Sequence, residues 1–141
     1  MDASKIILGF TGSIGSGCSF IAKAIPSIAE KKYKYYKLSD IIRNILKEEG
    51  NSTPTVSDLQ DKGNELRANF QQGYLVGKLL EQIDQDQDID DETEIIIDGI
   101  KNEGEIQTLR QFPYFFLFSV HSESSIRQKR YEKDGIITDE G

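Results

Sequence analysis

Residues Gly12-Ser13-Ile14-Gly15-Ser16-Gly17-Cys18-Ser19 carry the chemistry most plainly written in this chain. They match the phosphate-loop pattern G-x-x-x-x-G-K-[ST] at every position but one. Gly12 and Gly17 have the required spacing, and Ser19 stands where a hydroxyl would meet Mg²⁺. Cys18 takes the place of the lysine, so the backbone cradle for phosphates is expected without the ammonium that bridges terminal phosphates. A thiol cannot supply that charge, so Lys23 or an arginine of the 122–133 segment would have to replace it.

A second candidate is Asp98. It ends the β-branched run Ile95-Ile96-Ile97, which suits a strand buried on both faces. An acid there, with a phosphate loop elsewhere, is the expected second element of a metal site, holding Mg²⁺ directly or through water. Its bland alternative is a strand-end acid capping the turn at Gly99. Third, Ser39-Asp40 followed by Arg43 reads as a capped helix whose arginine suits bidentate phosphate recognition. Its alternative is a surface arginine on an ordinary capped helix. Fourth, Arg127 and Arg130 share a helix face at i, i+3 and either reach over a nucleotide or form a solvated basic face.

The elements that must position these groups follow from periodicity. Lys5–Phe10 reads as a strand running into the loop, and a helix then starts near Ser16, burying Phe20, Ile21, Ala24 and Ile25. Pro26 should shorten or bend that helix. Tyr33–Leu38 is a strand, and Ile41, Ile42, Ile45 and Leu46 form a helical face. Ser57–Ile83 is a long helical stretch weakened by Gly63, Gly73 and Gly77, and so is one helix or two. The acidic run 84–94 reads as a solvated, mobile loop. Gly104–Gln111 is a short helix, Tyr114–Val120 a buried strand, and Ser122–Lys133 a polar helix. This alternation predicts an α/β fold: one three-layer domain over residues 1–141, with a mainly parallel sheet of at least four strands. The first strand and the Asp98 strand should be neighbours. Phe115–Val120 should be left as an edge strand.

Composition bounds the function. The 141 residues carry 17 Lys+Arg against 24 Asp+Glu, a net charge of −7. No nucleic-acid or anionic-membrane partner is expected of so acidic a chain. One cysteine and one histidine exclude an internal disulfide framework and a Cys/His zinc cage, and with no apolar span they point to the cytoplasm.

Taken with Leu38–Arg43, Gly63-Asn64-Glu65-Leu66-Arg67, Ile96–Glu105 and Ile126–Arg130, the loop resembles the P-loop proteins similar to nucleoside-monophosphate and dephospho-CoA kinases. The Gly-Ser-Gly-Cys-Ser loop is similar within that group to the P-loop domain preceding the zinc deaminase domain of antiphage dCTP/dCMP deaminases. The resemblance implies a P-loop NTPase fold that lacks its C-terminal elements here, the chain being a fragment of a longer protein. It implies that residues 12–19 bind a nucleoside triphosphate with Mg²⁺ and that Asp98 is the Walker B acid. Asp40, grouped with Asp98 as catalytic, would face a second-substrate site with Arg43 and Arg67, and Arg127 and Arg130 would belong to a lid. The implied role is a regulatory module, with a downstream deaminase domain as partner. A true nucleotide or small-molecule kinase and a non-catalytic interaction domain are the alternatives.

Overall fold

The structure is a computed structural model and describes residues 1–13 and 15–134, with the side chains of 130–134 left undescribed. Among the described residues four strands and six helices follow in the order β1 (Ile7–Gly12), α1 (Cys18–Ile28), β2 (Lys32–Lys37), α2 (Leu38–Glu48), α3 (Val56–Asn69), α4 (Tyr74–Gln85), β3 (Thr93–Asp98), α5 (Glu103–Leu109), β4 (Phe115–Val120) and α6 (Ser124–Asp134). All pairings are parallel, in the order β2-β3-β1-β4. This is a three-layer α/β fold. The expected adjacency of the first strand and the Asp98 strand holds, with Phe10 level with Asp98.

Parallel strands expose apolar rows on both faces, and both must be covered. On one face Ile7, Ile95 and Ile97 pack with Leu38, Ile42, Leu59, Leu75, Leu79 and Leu109, so α2–α5 share a single core. On the other face Phe10 and Ile96 meet only Cys18 and Ala22 of α1 among fully buried residues. The strand ends Gly12, Lys37 and Asp98 therefore emerge together at the sheet's C-terminal edge, where ligands bind in open α/β folds.

Several local expectations need correction. The buried stripe of α1 is Cys18 and Ala22 with Ile25 half-buried, while Phe20 is 80% and Ile21 44% exposed. The phase of the helix is set by Cys18 docking on the sheet; at 100° per residue Phe20 then points away. The expectation for Pro26 stands: α1 is short, running only to Ile28. The proline falls in the last turn, where it removes one hydrogen bond and the helix stops two residues later. Ser39 and Asp40 do not cap α2; the helix begins at Leu38 after extended Lys37. The Ser57–Ile83 stretch takes the two-helix form that its glycines allowed, broken where Gly73 packs so closely on α5 that a Cβ would lie 2.5 Å from Thr108 Oγ1. The acidic run is tied down rather than loose: Asp86 and Asp88 hold Lys34 at 2.8 and 3.0 Å, and Tyr36 donates to Asp86. Strand β4 is the expected edge but is not buried, since Phe116 and Phe118 are about half exposed.

Candidate functional site at the sheet edge

The loop owes its path to glycine. Gly15 and Gly17 take φ of +78° and +90°, a region costly for residues with a Cβ. Gly17 in this conformation opens α1, so the helix N-terminus directs its N–H groups and positive dipole end toward the loop. The segment after β4 fastens the loop from above. Ser122 Oγ donates to Ser16 O at 2.8 Å, and the Arg127 backbone lies against Gly15. Ile14 and the side chain of Arg130 lie outside the described residues.

Beneath the loop, fully buried Asp98 collects three side-chain donors. Ser19 Oγ donates to Oδ2 at 2.7 Å, Cys18 Sγ to Oδ1 at 3.5 Å, and the Tyr35 hydroxyl to Oδ2. Burial pushes the Cys18 thiol up to about 12, reinforced by the charge of Asp98 and the bond to it; the ammoniums of Lys101 and Lys37 act the other way. Cys18 is thus a neutral donor near pH 7, not a thiolate nucleophile, despite its place at a helix N-terminus. Ser19 and Asp98 present hard oxygens, the donor type Mg²⁺ prefers. Among the described residues no group of three His, Cys, Asp or Glu could hold a metal by itself.

Beside Asp98 lies a cavity of about 390 Å³, within the size range of small-molecule sites. Its polar wall includes Lys37, Asn64, Arg67, Gln72, Lys101 and Asn102, and its apolar wall Ile42 and Leu59. Arg67 donates from Nε and Nη2 to Glu105 Oε2 at 3.2 and 3.0 Å. Glu105 is fully buried and its Oε1 accepts from the N–H groups of Lys101 and Asn102, closing the capping box that starts α5. One carboxylate thereby fixes both the arginine in the cavity wall and the turn that follows Asp98.

The described contacts bring Ser19, Cys18 and Asp98 together and set Arg67 in the neighbouring cavity. They do not bring Asp40 and Arg43 there. Arg43 Nη1 donates to Asp40 Oδ1 at 2.9 Å and to Ser39 Oγ at 3.1 Å, and Asp40 lines a separate, smaller cavity with Lys34 and Asp86. The i+3 and i+4 neighbours of one helix claim the arginine locally. Arg127 also turns back, to Ser122 O before its helix and Ser124 Oγ in its first turn. Lys23 stands 5.9 Å over the Tyr35 ring. Tyr35 and Lys37 were not singled out from the sequence, and Lys101 and Glu105 stood only within the Ile96–Glu105 stretch with no role of their own. The Asn102-x-x-Glu105 spacing was the available signal for Glu105, and position at a strand end the signal for Lys37.

No family model matches the chain, and no curated protein is similar to it. A solved structure, that of an uncharacterized protein from Eubacterium ventriosum ATCC 27560, is similar at 15% identity and a TM-score of 0.44. The match covers 95% of this chain and 65% of that one, so the chain spans less than two thirds of its length.

Proposed function

We propose that the chain is a P-loop domain that binds a nucleoside triphosphate with Mg²⁺ and transfers its phosphoryl group weakly or not at all. The observation that carries this reading is the 2.7 Å contact of Ser19 Oγ with Asp98 Oδ2 under a glycine loop that opens a helix. Gly12–Ser19 would wrap the phosphates with backbone N–H groups, and Ser19 and Asp98 would hold the ion. When bound, Mg²⁺ supplies charge neutralisation between phosphate oxygens. The neutral thiol at Cys18 adds none, which favours binding without turnover. A regulatory role beside a deaminase domain rests on the resemblance of the loop alone. Calorimetric titration with ATP, GTP, dCTP and dCMP, with and without Mg²⁺, tests the reading. Micromolar, Mg²⁺-dependent binding of a triphosphate supports it; no binding by any of them overturns it.

The cavity favours a second reading, a kinase whose acceptor sits beside Arg67. This reading expects ADP formation in the presence of an acceptor nucleotide and loss of it in Asp98→Asn. The regulatory reading expects binding with no ADP formed.

A further inference from the structure

We infer that Lys37 and Lys101 supply the positive charge that Cys18 denies the loop, meeting the terminal phosphate oxygens of a triphosphate bound at Gly12–Ser19. This inference rests on the nucleotide-binding reading above. Lys37 ends β2 in register with Asp98 on the adjacent strand. Strand neighbours lie about 4.8 Å apart, so the ammonium-bearing chain and the carboxylate leave the sheet side by side. Its alternation along β2 is that of Tyr35, whose hydroxyl is already on Asp98. Lys37 is only 7% exposed, so its chain is packed at this edge rather than extended into solvent.

Lys101 reaches the same edge from the other side of Asp98. The N–H groups of Gly99 and Ile100 both donate to Phe10 O, at 3.1 and 3.0 Å, which fastens this turn to β1 two residues before Gly12. The bond from Lys101 N to Glu105 Oε1, 2.7 Å, fixes the lysine's backbone while its side chain stays exposed. Both lysines line the cavity beside Asp98, and both act electrostatically on the Cys18 thiol. Both therefore lie at the same strand-end edge as Cys18, which stands where a loop lysine would. Lysine acts on phosphate as a mobile point charge rather than as a fixed fork, so its origin in the chain can change without losing the contact. Of the other nearby cations, Lys23 stands over the Tyr35 ring and Arg127 donates to Ser122 and Ser124.

The test is calorimetric titration of Mg-ATP, Mg-GTP, Mg-dCTP and the matching monophosphates into wild type, Lys101→Gln, Lys37→Gln, Lys37→Arg and, as a distant control, Lys47→Gln. Each glutamine variant should bind the preferred triphosphate about tenfold more weakly, the loss of one charge-assisted contact, with little change for the monophosphate. Lys37→Arg should keep most of the affinity, and Lys47→Gln all of it. Adding Cys18→Lys to Lys101→Gln should restore what was lost, which a merely structural lysine would not allow. If Lys37→Gln shows no cooperative unfolding transition, Lys101→Gln and its Cys18→Lys rescue decide alone. Wild type that binds, with glutamine variants indistinguishable from Lys47→Gln, overturns the inference and leaves the nucleotide reading standing. No triphosphate bound by wild type overturns both.

Discussion

The glycine loop and the cavity lie on either side of the β3 strand end, the loop contacting Asp98 and the cavity lined by Gly99, but they are made of different material. The loop is backbone: glycine dihedrals, a helix N-terminus and a neutral thiol where a cation is expected. The cavity is side chains: two lysines, an arginine held by a buried glutamate, and amide groups over an apolar wall. The loop can cradle an anion wherever phosphates approach closely, and it has no charge of its own to follow a moving phosphoryl group. The cavity has that charge but no backbone nest. On the proposed reading, the difference teaches that cradle and cation of a phosphate site would sit on separate elements and could be broken separately.

The largest break is on the cavity side. Glu105→Ala strips the partner from Arg67 and opens the α5 capping box, and loss of one member of a buried pair costs about 3–5 kcal/mol. Urea unfolding should show that drop. Next, Asp98→Asn keeps the shape of the strand end but removes the charge beside Ser19. Triphosphate affinity should fall about tenfold and lose its Mg²⁺ dependence, read by titration with and without the ion.

The third prediction concerns the thiol. The folded value of Cys18 lies near 12 against an ordinary 9.0, so the neutral form is favoured by folding. That contribution is fully present below pH 9.0 and is lost as pH rises through about 12. Iodoacetamide should therefore modify native Cys18 slowly up to pH 10 and the urea-unfolded chain readily. Stability should fall less steeply above pH 9 in Cys18→Ala than in wild type. The smallest effects belong to residues that touch neither region. Phe20→Ser, at an exposed position of α1, should change stability by no more than about 0.5 kcal/mol. Arg43→Ala, which breaks a helix-surface pair, should cost less than about 1 kcal/mol.

The loop and Asp98 were legible because their signals are local: fixed glycine spacing, and an acid closing an apolar run. The strand and helix order was legible for the same reason, from the change of periodicity along the chain. Tyr35 and Lys37 were not. In Lys-Tyr-Lys-Tyr-Tyr-Lys apolar and cationic residues alternate without showing which face is buried, and their meeting with Asp98 depends on β2 lying next to β3. Phe20 was misplaced because hydrophobicity suggested the helix phase, whereas the sheet contact is made by the smaller Cys18 and Ala22. For Arg43 the plain alternative, a helix-surface arginine, fits its bonds to Asp40 and Ser39; the resemblance alone grouped it with Arg67, and no local signal separates the two.

The central claim is that the loop backbone is the phosphate cradle. Amide ¹H–¹⁵N shifts recorded during titration with the preferred Mg-triphosphate test it most directly. The account predicts the largest shifts at Gly15, Gly17, Cys18 and Ser19, with smaller ones at Lys37 and Lys101. Shifts confined to the cavity residues Arg67, Gln72 and Asn102 with the loop amides unmoved, or no shifts anywhere, would contradict it.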